Sequence, residues 1–191
     1  VVAGARHRGS VTGEAERRQL TVLFCDLVES TAIANVLDPE DMRDIIRAYQ
    51  DACTGVISLY DGFVARYLGD GILAYFGFPQ AHENDAERAI NAGLAIIEAV
   101  DALDVDEAIA GRLAVRVGIS TGTVVVGDVI GTGAAEEAAV VGDTPNLAAR
   151  LQSFAAPNAV AIGDTTHRLA GGLFECEDLG ERIFKGYTDP V

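Results

Sequence analysis

Between positions 63 and 76 the chain spells out a hairpin. Phe63-Val-Ala-Arg-Tyr-Leu68 and Ile72-Leu-Ala-Tyr-Phe76 are apolar runs rich in branched and aromatic residues, and Gly69-Asp70-Gly71 lies between them. A Gly-Asp-Gly step flanked by such runs predicts a tight turn between antiparallel strands. This fixes an antiparallel pair in the middle of a chain whose other strands alternate with helices. An all-parallel sheet is thereby excluded, and a mixed fold with a mainly antiparallel sheet is expected.

The flanking segments fill in the rest. Leu20-Thr-Val-Leu-Phe-Cys25 reads as a buried strand ended by Asp26, after which Ser30 and Thr31 offer N-caps to a helix. Asp38-Pro39-Glu40-Asp41 supplies a cap, a proline at N1 and first-turn acids to a longer helix. Met42, Ile45, Ile46, Tyr49, Cys53, Val56 and Ile57 recur along it at helical spacing. A second amphipathic helix is expected over 83–103, capped by Asn84 or Asp85. Strands are expected at 113–120 and 124–129, joined at Thr121-Gly122, followed by a small-residue loop at 131–137. A helix opening at Thr144-Pro145 runs to about Phe154. A short strand at 160–162, a short helix at 164–169 and an extended tail at 174–184 complete the reading.

The chain has 191 residues, half of them hydrophobic, enough for one core. Its formal net charge of -15 repels nucleic acid and anionic membrane, so neither is an expected partner. Cys25, Cys53 and Cys176 are odd in number and form no CxxC, which argues against a disulfide framework or structural zinc and for a reducing, cytoplasmic setting. No apolar run reaches transmembrane length. Residues 1–17 read as a linker and 18–191 as one catalytic unit, expected to be a domain of a longer protein.

Two carboxylates stand out by position. Asp26 ends a buried strand and Asp70 occupies the hairpin tip. Adjacent strands would bring both to one end of the sheet, an oxygen-rich site suited to Mg²⁺ or Mn²⁺. The segment from Asp26 to Thr31 leads into a helix whose free N–H groups suit phosphate. Farther on, Asn146 and Arg150 are one helical turn apart and face the same way. Lys185 precedes a glycine in a late loop. Each feature alone has an ordinary structural reading; together they suit phosphoryl transfer.

Five segments in this order resemble the class III adenylate and guanylate cyclases: Leu23-Phe-Cys-Asp26-Leu-Val-Glu-Ser-Thr31, Arg66-Tyr-Leu-Gly-Asp70-Gly, Arg116-Val-Gly-Ile-Ser-Thr-Gly122, Val141-Gly-Asp-Thr-Pro-Asn146-Leu-Ala-Ala-Arg150 and Phe184-Lys-Gly186. The stretch Gly77-Phe-Pro-Gln-Ala-His82 is similar to bacterial cyclase domains that head larger proteins, so flanking regulatory domains are expected. The resemblance implies a ferredoxin-like βαββαβ palm with added elements, and a head-to-tail homodimer with shared active sites. It implies two divalent cations, Mg²⁺ or Mn²⁺, held by Asp26, Asp70 and the Leu27 carbonyl. It places the phosphates on Val28, Glu29, Ser30 and Thr31. The partner protomer would bring Asn146 to the ribose, Arg150 to the transition state and Lys185 to the triphosphate.

The implied reaction is in-line attack of the ATP 3′-oxygen on the α-phosphorus, giving 3′,5′-cyclic AMP and pyrophosphate. For base recognition the family usually has lysine where Arg66 stands, and aspartate or threonine where Ala139 stands. Arg66 still donates, but Ala139 cannot accept from the adenine amino group, so relaxed choice between ATP and GTP is an open alternative. A cyclase-like module that only binds nucleotide or dimerises is another. A diguanylate cyclase would need a second carboxylate in the turn, which Gly69-Asp70-Gly71-Ile72 lacks. His7, His82 and His167 read as surface or capping residues.

Overall fold

The structure, a computed structural model, describes residues 16–105, 113–126 and 140–180. The chain order is β1 (Glu16–Leu27), α1 (Ser30–Ala34), α2 (Pro39–Leu59), β2 (Phe63–Leu68), β3 (Gly71–Phe76), α3 (Asp85–Asp101), β4 (Val115–Val126), β5 (Val140–Val141), α4 (Asp143–Phe154), β6 (Ala159–Ile162) and α5 (Asp164–Ala170). The sheet runs β2-β3-β1-β4-β5, with β6 on β4. Every pairing is antiparallel except β4 with β6. This is the α+β, ferredoxin-like arrangement, with β1 and β4 as its central pair.

Side-chain alternation along β1 divides the core in two. Leu23, Cys25 and Leu27 face α2 and α3 in the main cluster, with Tyr49, Cys53, Ile57, Ile90, Ile96, Val115, Val117 and Ile119. Leu20 and Val22 face the other way, against Tyr75, Val124 and Ala148 of α4. Asp26, in phase with Leu20 and Val22, therefore belongs to the α4 side of the sheet. A buried chain of hydroxyls, Thr21 to Thr121 to Thr166, with both O···O distances 2.9 Å, ties β1, β4 and α5 together.

Several expectations are corrected. The expected strands at 113–120 and 124–129 are, within the described residues, one strand, paired with β1 from Leu27↔Val115 to Glu16↔Val126. Gly122 does not turn the chain; it makes room for α4, since a Cβ there would lie 2.5 Å from Thr144 Oγ1. Thr121 is buried in the hydroxyl chain rather than exposed in a loop. The first short helix is not capped by Ser30 or Thr31. Glu29 holds the N-cap with φ of 53°, and no side chain makes a capping bond. Asp38 and Asn84 hold the N-caps of α2 and α3, again without side-chain caps; Asn84 Oδ1 instead accepts from Arg88 Nε at 2.9 Å. His82 does serve the start of α3, its backbone N–H donating to Asp85 at 2.9 Å. The 131–137 loop, the end of the 124–129 strand, and 181–184 of the expected tail lie outside the described residues.

Candidate active site

The hairpin forms as its sequence dictates. Leu68 pairs with Gly71, leaving Gly69 and Asp70 as a two-residue turn. Gly69 takes the positive φ of 69° that such a turn asks of its first central residue. β3 lies beside β1 with Cys25 opposite Ile72, so the end of β1 and the turn finish side by side. There the Asp26 and Asp70 carboxyls come close enough to share a hydrogen bond once one of them is protonated. Burial, the Asp70 charge and that shared hydrogen bond push Asp26 from 3.8 up to about 7, against the opposing pull of the Leu27 N–H and Arg116. Two half-buried carboxyls in contact cannot both stay ionised without a counter-charge.

A divalent cation would supply such a counter-charge. The donors are hard oxygens, and among the described residues no third His, Cys, Asp or Glu joins them. Mg²⁺ or Mn²⁺ fits such a pair, with backbone, water or substrate oxygens completing the shell. Leu27 donates its N–H to Asp26 Oδ1 at 3.1 Å. This holds the carboxylate at the strand end and leaves the Leu27 carbonyl as the third candidate oxygen.

Arg116 is a site residue that sequence reasoning passed over. It is directly opposite Asp26 in the β1–β4 ladder. Its positive charge pulls on Asp26. Its Nε is sealed from solvent and, among the described residues, is the buried side-chain nitrogen or oxygen left without a hydrogen-bond partner. Sealed in this way, Nε is out of reach of an incoming group, and what Arg116 brings to the carboxylate pair is its positive charge. The signal in the sequence was real but needed the β1–β4 register to be read.

The other expected residues are placed as follows. Val28 donates its N–H to the Ala114 carbonyl at 2.8 Å, so that donor is already taken. Glu29, Ser30 and Thr31 open the five-residue α1, where Ala32 and Ile33 turn back onto the Glu29 carbonyl. Arg66 is exposed and pairs in register with Leu73, on the same side of the sheet as Tyr75. Because Leu73 and Tyr75 pack in the α4-side cluster, Arg66 shares that side with Asp26. Ala139 and Lys185 lie outside the described residues.

Two glycines of β4 seat α4. A Cβ on Gly118 would fall 2.1 Å from the Ala148 carbonyl oxygen and 2.2 Å from the Gln152 nitrogen, so helix backbone touches strand backbone there. At Gly122 it is the Thr144 side chain that lies over the strand. The helix therefore runs along β4, with Thr144, Ala148 and Gln152 turned to the sheet and Asn146 exposed. Asn146 comes level with about Ser120, four residues along β4 from Arg116, or about 13 Å at the rise of a strand. Within one chain, then, Asn146 stands well away from the carboxylate pair.

The matched family model is the adenylate and guanylate cyclase catalytic domain, over residues 14–190. Adenylate cyclase 1 of Rhizobium meliloti (strain 1021) is 30% identical over 171 residues, covering 86% of this chain and 24% of that protein. The guanylyl cyclase Cya2 superposes with a TM-score of 0.83 at 32% identity, covering 93% of this chain and 90% of that one. The adenylyl cyclase CyaB from P. aeruginosa gives 0.81 at 26% identity, covering 93% of each. The chain spans 18% and 24% of the length of the first curated relatives it matches.

Proposed function

Since the chain belongs to the adenylate and guanylate cyclase catalytic-domain family, we propose that it converts ATP into 3′,5′-cyclic AMP and pyrophosphate, at a site completed by a second copy of itself. The observation that carries this reading is the meeting of the Asp26 and Asp70 carboxyls at one end of the sheet, with the Arg116 charge beside them. A pair of divalent cations bound there would supply charge neutralisation and favour loss of the 3′-hydroxyl proton. Asp26, Asp70 and the Leu27 carbonyl are the residues to hold them.

The chain's own groups do the rest. Arg116, half-buried and opposite Asp26, offers its positive charge to a phosphate oxygen. The start of α1, from Glu29 to Thr31, offers backbone donors and a hydroxyl to the remaining phosphates. Asn146 orients the ribose and Arg150 stabilises charge on the α-phosphate in the transition state, both from the partner copy. The distance of Asn146 from the carboxylates of its own chain supports that division. Lys185 of the partner copy is assigned to the triphosphate on the family resemblance. No covalent enzyme intermediate is required, because the 3′-oxygen attacks in line and pyrophosphate leaves directly.

A second reading, acceptance of GTP, is favoured by Arg66. Its guanidinium stands where the family's adenine-selecting lysine is usual, and Cya2, a guanylyl cyclase, is similar over most of the chain. Ala139 removes the complementary acceptor, so discrimination against guanine is weak on this reading.

The test is direct. The chain is incubated with ATP or GTP and Mn²⁺, and cyclic nucleotide is measured for the wild type and for Asp70→Ala. Cyclic product from the wild type, and a fall of about a hundredfold or more in the variant, is expected. Absence of product with either nucleotide, at concentrations where the chain dimerises, contradicts the proposal and favours a regulatory module.

A further inference from the structure

The stretch of α2 from Tyr49 to Thr54 touches both strand ends that carry the aspartates. Tyr49 is fully buried, and its hydroxyl lies 3.0 Å from Cys25 Sγ, the residue before Asp26. Cys53, four residues later, is fully buried in the same cluster as Cys25. The neighbouring face of the same stretch reaches the hairpin. Gln50 Nε2 donates to the Gly69 carbonyl at 3.0 Å, and Thr54 Oγ1 lies 2.7 Å from the Tyr67 hydroxyl. Gly69 immediately precedes Asp70, and Tyr67 is three residues before it.

We propose that Gln50 and Thr54 are positioning residues, which hold the β2–β3 turn so that Asp70 stays within metal-sharing distance of Asp26. Tyr49 and Cys53 anchor the helix to β1, and Gln50 and Thr54 extend that anchor to the hairpin. The geometry calls for such a clasp. β2 is an edge strand, and its pairing with β3 is already irregular between Val64 and Arg66. The Asp26 and Asp70 carboxylates repel each other whenever both are ionised, and the turn that carries Asp70 is the softer of the two supports. A side-chain hydrogen bond onto the Gly69 carbonyl opposes that splaying without touching metal or substrate. Outer supports of this kind commonly govern metal affinity.

The inference rests on the metal reading of Asp26 and Asp70, so the experiment separates the two. Mn²⁺ alone is titrated into the full chain, and the free ion is counted by its electron paramagnetic resonance signal. The site-specific part is what an Asp26→Asn, Asp70→Asn double variant loses. Gln50→Met keeps the length of the side chain and deletes the donor; Thr54→Val keeps the shape and deletes the hydroxyl. Each is expected to weaken site-specific Mn²⁺ binding by about fivefold, the worth of one hydrogen bond. Thr54→Ser, which keeps the hydroxyl, is expected to bind as the wild type does. Melting temperatures should stay together, since Gln50 and Thr54 are outside the core.

Wild-type affinity in both Gln50→Met and Thr54→Val, with loss in the double variant, overturns the inference alone. Equal binding by the wild type and the double variant overturns the metal reading and the inference with it. A loss of affinity that tracks a fall in melting temperature across the variants assigns a structural role and also overturns the inference.

Discussion

Asp26 is under opposing demands: the fold half-buries it against a second carboxyl, and the proposed chemistry needs it ionised. In the absence of metal its carboxyl is raised from 3.8 to about 7, chiefly by burial and then by Asp70. The sign of the linkage follows. Below the unfolded value both states hold the proton and nothing is lost. Between that value and about 7 the folded state holds the extra proton, so stability falls as pH rises; above about 7 the loss is complete. In chelator, Asp26→Asn, which cannot ionise, is therefore expected to gain in melting temperature over the wild type between pH 5 and pH 8. Mn²⁺ should reverse that ordering at pH 8. An unchanged gap across the range contradicts the assignment. Arg116→Met is expected to raise the KM for nucleoside triphosphate about tenfold by removing the cation from the phosphate site, measured by steady-state cyclase assay. The aspartates were legible in the sequence because a strand end and a Gly-flanked turn are local features. Arg116 was not, because its place beside Asp26 exists only once twelve residues of β1 have been laid in register on β4.

At the scale of elements, the hairpin and the helices followed from periodicity and turn chemistry, whereas the order of the strands in the sheet did not. β2 runs from Phe63 to Leu68 as read, and α4 begins at Asp143, one residue before its expected opening. The misreading of β4 is instructive. Thr121-Gly122 has turn composition, but Gly122 and Gly118 are small because α4 presses on the strand, a long-range demand that no local pattern announces. Gly118→Ala should accordingly cost about 3 kcal/mol by overpacking helix backbone on strand backbone, read as a lowered denaturation midpoint. The capping prediction failed for a related reason: Glu29 takes the left-handed N-cap because β1 and the α1 entry are set by strand pairing and by the Val28–Ala114 bond. The roles of Lys185 and Ala139 stay with the family resemblance.

At the scale of the whole molecule, one chain is read as carrying the carboxylates of one site and, on α4, the Asn146 and Arg150 of another. The course of α4 along β4 supports this for Asn146, which it sets well away from the Asp26 end; Arg150, one turn farther along the helix and so nearer that end, is assigned to the other site on the family resemblance. Reaction rate should then rise faster than linearly with protein concentration until dimers saturate, as for any site built at an interface. Nothing in a single-chain catalyst would produce that curvature. The division of labour is tested most directly by mixing two crippled chains, Asp70→Ala and Arg150→Ala, each assayed alone and then combined in equal amounts. Alone, each should be nearly silent; together they should recover about a quarter of wild-type activity, because half the dimers are mixed and each mixed dimer has one intact site. A mixture as silent as its components would contradict the shared site, and substantial activity in Asp70→Ala alone would contradict the carboxylate pair.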